Sequence, residues 1–165
     1  MMMIHPIEIR RVLVAVLAVV AVSGVHGGSG GGVKPPAEPA KIDIQIAPKG
    51  ATPGTERLVT LRLTPAEGIH INRYPKMRLK VEQQQGLASA AEVAVGNDEP
   101  PPPDKIEQNY YDKTVAPIEL PLRLDPSAGS GAYELHGQLT YYYCVAASGF
   151  CAPKKVPVTI PISAR

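Results

Sequence analysis

Beyond residue 40 the chain alternates apolar and polar residues with a period of two, and it shows no stretch with the helical period of 3.6. Ile118, Leu120, Leu122 and Leu124 are the cleanest case, with Glu119, Pro121 and Arg123 between them. Successive side chains of a strand point to opposite faces, so this pattern describes a strand buried on one side and wet on the other. The alternation returns in Ile42, Ile44 and Ile46, in Val59, Leu61 and Leu63, in Met77, Leu79 and Val81, and in Val93 and Val95. Leu135, Leu139, Tyr141 and Tyr143 carry it again, and Val156, Val158, Ile160 and Ile162 end it. Seven or so half-buried strands with turn residues between them predict an all-β sandwich, without a helix in this part of the chain.

Proline placement adds an expectation about topology. Pro117 and Pro121 share one parity of their segment, and Pro157 and Pro161 share one parity of theirs. Residues of one parity turn their N–H groups to the same side of an antiparallel strand, and proline has none to offer. Both segments should therefore be edge strands, or strands with a free edge over part of their length. A second proline-rich stretch, Pro100 to Pro103, lies in a long connection from Gly96 to Asp112 that also carries Tyr110 and Tyr111. Its stiffness would suit either a solvated connector or a support for the two tyrosines.

The N-terminus reads as an export signal over residues 1–26. Arg10 and Arg11 precede an apolar run from Val12 to Val22, and small residues follow it. That run is shorter than the ~20 residues of a membrane-spanning helix, although an uncleaved anchor is the alternative. Residues 27–40, rich in Gly and Pro, form a linker, and residues 41–165 form the folded domain. Setting aside residues 1–26 removes Arg10, Arg11 and Glu8 from 17 basic and 15 acidic residues, which leaves a nearly neutral domain. Such a balance offers no electrostatic footprint for nucleic acid. No phosphate-binding glycine motif occurs, and no cofactor is expected.

Export leads to an oxidising compartment, periplasmic or extracellular, where disulfides persist. The chain has two cysteines, Cys144 and Cys151, which suits one intramolecular bridge. Core positions before the pair are odd-numbered and core positions after it are even-numbered. Cys144 and Cys151 fall on the opposite parities, so in unbulged strands both point away from the core. An outward pair is open to attack by a thiolate, the step on which exchange depends. A bridge closing only the eight residues from Cys144 to Cys151 stabilises by ~2.5 kcal/mol in the chain-entropy model. Sequence physics alone leaves a redox role and a structural one balanced.

The run Gly149-Phe150-Cys151-Ala152-Pro153, after an aromatic strand ending in Cys144, resembles the N-terminal periplasmic domain of the thiol:disulfide interchange protein DsbD. The resemblance covers roughly Ile42 to Ile162. Glu67-Gly68-Ile69-His70-Ile71-Asn72 is similar to an early Gly-aromatic segment of that family, and Tyr110-Tyr111-Asp112-Lys113 to its cap loop. The resemblance implies an immunoglobulin-like antiparallel β-sandwich of about seven to nine strands. It implies that Cys144 and Cys151 exchange electrons, that Tyr110 and Tyr111 cap them, and that His70 tunes them. It also implies a thioredoxin-like or membrane electron donor and periplasmic disulfide-containing proteins as acceptors. The chain departs from the family in its Cys-x6-Cys spacing, one residue longer than in the best-known members. Gln108 and Asn109 stand where the family has acidic residues, and His70 and Asn72 where it has tyrosines.

Two other readings compete. A metal site would need His70 and His136 to converge on the cysteines, without any ligand-spacing signature to suggest it. A non-enzymatic binding module would use the disulfide as a staple and its loops or edge strands as contacts.

Overall fold

The structure is a computed structural model that describes residues 34, 36–47, 51–111 and 114–165. The export signal expected over residues 1–26, and most of the linker, lie outside the described residues. The described part belongs to one compact unit, Val33–Arg165. Among the described residues no helix is long and apolar enough to cross a membrane.

Among the described residues nine strands form two antiparallel sheets packed face to face, an all-β sandwich. In chain order they are β1 (Ala40–Ala47), β2 (Glu56–Pro65), β3 (Ile69–Ile71), β4 (Met77–Val81) and β5 (Leu87–Ser89). β6 (Glu92–Val95), β7 (Ile118–Leu124), β8 (Gly131–Val145) and β9 (Cys151–Ala164) complete them. One sheet has the order β1-β2-β7-β5. The other is built on β8, which pairs with β9 along one side and with β3 and β4 in turn along the other, β6 lying beyond β4. The expected alternation is realised in burial. Ile118, Leu120, Leu122 and Leu124 are buried and meet Leu61, Leu79, Leu135, Leu139 and Ile160 in the core between the sheets. Each such Leu or Ile contributes roughly 1.5–3 kcal/mol of burial free energy. Tyr141 is also fully buried, and that burial pushes its phenol up to about 12.

Three elements differ from the sequence expectation. β3 and β5 have three residues each, too short for an alternation to register. The connection after β6 contains a short 3-10 helix, Pro103–Asn109, where none was expected. None of its residues is buried, so no apolar periodicity could announce it; proline at its start and Asp104 in its first turn suit a helix N-terminus.

The prolines fall where their missing N–H groups do least harm. β9, with Pro157 and Pro161, pairs with β8 alone among the strands. β7 has β5 beside it only at Leu122–Leu124, so Pro121 sits where β2 is its single neighbour.

Candidate functional site: the Cys144–Cys151 hairpin

β8 and β9 form one continuous hairpin whose register runs unbulged from Gly131↔Ala164 to Cys144↔Cys151. The turn closes through Gly149, at φ +68°, whose N–H donates to the Val145 carbonyl at 2.9 Å. Val145 N–H donates to the Phe150 carbonyl at 2.8 Å, which makes that pair the hydrogen-bonded kind. The next pair, Cys144 with Cys151, is then the closely approaching kind, with Cα atoms 4.1 Å apart and a disulfide joining the side chains. Tyr143 and Phe150 meet edge to face on the core side, 6.5 Å between centroids.

Directly opposed residues of an antiparallel pair share a face. Cys144 lies opposite Cys151 on one side and opposite His70 of β3 on the other. Beyond β3 the segment before Asp112 adds as a further short ladder, with Asn72 opposite Tyr110. One face therefore carries Cys151, Cys144, His70, Asn72 and Tyr110. The Tyr110 ring stacks on the His70 imidazole, 4.9 Å between centroids at 24°.

Both cysteines do leave the core face, as parity requires, but they are not both accessible. Cys144 is only 4% exposed, whereas Cys151 is exposed. The cause is position within the sheet. Cys144 is on an interior strand flanked by β9 and β3, while Cys151 is on the edge strand at the mouth of the turn. The expectation of an outward pair with two open sulfurs is corrected to one open sulfur and one covered.

The Tyr110 segment is pinned by backbone and amide contacts. Arg73 N–H donates to the Asn109 carbonyl at 2.6 Å, and Tyr111 N–H to the Ile71 carbonyl at 3.1 Å. The Asn109 side chain bonds both ways with Tyr74, accepting from its N–H and donating to its carbonyl, each at 2.8 Å. Arg73 Nε donates to the Tyr110 carbonyl at 3.1 Å. Tyr111, one residue on, points to the opposite face. It packs against the core with the Arg73 guanidinium 4.7 Å from its ring centroid. Burial raises its phenol, against the pull of that guanidinium. The structure thus brings Tyr110 and His70 onto the cysteines' face and places Tyr111 behind it.

Asn72, Arg73 and Asn109 were not among the residues picked from sequence as site candidates. Asn72 is the buried polar residue of the described core, and its Oδ1 lies 3.4 Å from Cys144 Sγ. A disulfide sulfur has no hydrogen, so in the oxidised form this is a contact. On reduction the Cys144 thiol can donate to that oxygen. A hydrogen bond made only in the dithiol stabilises the reduced form and raises the reduction potential. Such a bond is worth about 0.5–1.5 kcal/mol, which corresponds to ~10–30 mV for a two-electron couple. Asn72→Leu should therefore lower the potential by that amount, read by equilibration against glutathione. An unchanged or raised potential would exclude this role.

His136 stands eight residues before Cys144 on β8, a separation of roughly 26 Å along the strand. Its ring Nδ1 is 3.3 Å from Thr159 Oγ1. The two histidines do not converge, which removes the geometry a shared metal site would need. Among the described residues no group of three or more His, Cys, Asp or Glu could hold a metal ion.

No family model matches this chain, and no curated protein matches it. Among solved structures it is similar to BcpA, the major pilin subunit of Bacillus cereus, at 11% identity and a TM-score of 0.45. The match covers 76% of this chain and 40% of that one, so the chain spans about two fifths of the pilin subunit's length.

Proposed function

We propose that this protein is an exported thiol–disulfide exchange domain that passes reducing equivalents through Cys144 and Cys151. The observation that carries the reading is the asymmetry of the pair: one sulfur open at a sheet edge, its partner covered beside it. Attack and resolution need that division, because a mixed disulfide forms at an accessible sulfur and is then released by a neighbour. The resemblance of the Cys144 to Pro153 run to the DsbD N-terminal domain supports the same reading. So does the signal-like N-terminus, which would deliver the chain to the periplasm or beyond.

In the reduced domain the Cys151 thiolate attacks a disulfide of an acceptor protein. A sulfur–sulfur bond to Cys151 forms, and one acceptor cysteine leaves as a thiol with a proton from solvent. Cys144 then attacks the Cys151 sulfur, the intramolecular disulfide forms, and the second acceptor thiol leaves. Two electrons and two protons pass to the acceptor. A thioredoxin-like or membrane dithiol restores the domain by the reverse exchange.

A second reading is favoured by the burial of Cys144 and by the bridge's place at the end of a long hairpin. In it the disulfide is a staple and the sandwich binds a protein partner without electron transfer. The reduction potential separates the two. A value above about −250 mV belongs to exchangeable disulfides and is the expected result, while one below about −300 mV belongs to structural ones.

A further inference from the structure

The two edges on one side of the sandwich are treated very differently. β9 and β1 border apolar clefts between the sheets, one of about 500 Å3 lined by Ile44, Ile46, Ala51 and Ile162 among others. Along β9 the even-numbered residues bond to β8, so the odd-numbered ones turn their backbone groups outward. Pro153, Pro157 and Pro161 are all odd, and Ser163 O is taken by Ala51 N–H at 2.7 Å. That edge is closed to a further strand, as protected edges are.

β1 is the reverse. Ala66 N–H donates to the Pro39 carbonyl at 3.0 Å, so odd-numbered residues of β1 bond to β2 and even-numbered ones face away. The N–H and C=O groups of Ile42, Ile44 and Ile46 therefore lie along an edge that no described strand covers. No proline interrupts Ala40–Ala47, and the three isoleucines are half-buried. The Ala40 backbone is engaged by the Tyr141 hydroxyl, so the open part of this edge runs from Ile42 to Ile46, with the features that invite strand addition.

We propose that a second copy of this chain pairs with it, β1 against β1 about a two-fold axis at Ile42. Charge selects the occupant and the register. With Ile42 opposite the partner copy's Ile42, Lys41 lies opposite the other copy's Asp43, and Asp43 opposite its Lys41. Both are exposed here and both form close, non-hydrogen-bonded pairs in the new ladder. Moving the axis to residue 43 sets Asp43 against Asp43. Moving it to Ile44 leaves Lys41 opposite Ala47 and Asp43 opposite Gln45. The two-fold arrangement is isologous, so one edge supplies both halves of the interface.

The test is sedimentation velocity on the full chain across a concentration series, with Lys41→Asp and Asp43→Lys. The wild type should dimerise reversibly. Each single variant should weaken the dimer at least tenfold, since like charges then face each other twice. An equimolar mixture of the two variants should associate as the wild type does, because every 41–43 pair again joins opposite charges. A monomer at all concentrations, association that ignores the substitutions, or a mixture that fails to recover would each overturn the proposal. Damage to the fold cannot imitate recovery on mixing, which keeps the test decisive. It is independent of the redox reading.

Discussion

Cys144→Ser should accumulate covalent complexes with partner proteins, and Cys151→Ser should not. The basis is the difference in access across one register pair. Cys151 is exposed on the edge strand, and beside its disulfide bond its Sγ lies 3.6 Å from the Gly149 carbonyl oxygen. Cys144 is buried on an interior strand, opposite His70 of β3 and against Asn72 Oδ1. In Cys144→Ser the open thiolate attacks and no resolving thiol is present, so the mixed disulfide persists. In Cys151→Ser the remaining thiol is out of reach of a partner's disulfide. The contrast is close to all-or-none and is read on non-reducing gels with mass spectrometry of the trapped bands. Trapping through Cys151→Ser instead would reverse the assignment of attacking and resolving sulfurs.

Gly96→Ala should be the most damaging single methyl added near the site. Gly96 has φ +134°, and a Cβ there would lie 2.1 Å from the Arg73 carbonyl oxygen. That oxygen also accepts the Asn97 N–H at 2.8 Å, and it belongs to the residue that holds Asn109 and Tyr110. Backbone strain of about 1–3 kcal/mol adds to an overpacking cost of about 1–3 kcal/mol. The melting temperature should fall by roughly 10–20 °C. Displacing Arg73 also shifts its neighbour Asn72 away from Cys144 Sγ, so reduction by dithiothreitol should quicken in the folded protein. Gly149→Ala is the control: φ is +68° but a Cβ would meet nothing within 4 Å. Its loss should be limited to the ~1–2 kcal/mol of a left-handed residue. Equal losses in the two variants would mean that the Arg73 contact is not what makes Gly96 necessary.

Much of this architecture was legible because period two is a strong signal when one face of a strand is buried. Ile118 to Leu124 and Leu135 to Tyr143 announced both their structure and their inward faces. Proline parity announced the free edge of β9. The shortest strands and the 3-10 helix did not announce themselves, since three residues hold no period and an exposed helix has no apolar stripe. At the site, parity put Cys144 and Cys151 on one outer face. It could not tell that β3 would pair beyond Cys144, because Ile69–Ile71 joins β8 across more than seventy residues of chain.

Local alternation, then, determined the strands, their inward residues and the face that carries both cysteines, since each depends only on where successive side chains point. Proline parity marked β9 as an edge, but which strand would flank β8 beyond Cys144 was decided by tertiary pairing alone. That choice buried Cys144 and left Cys151 open. It set His70, Asn72 and Tyr110 beside the bridge and turned Tyr111 away from it. Accessibility is a property of neighbours, and the neighbours of Cys144 are remote in sequence.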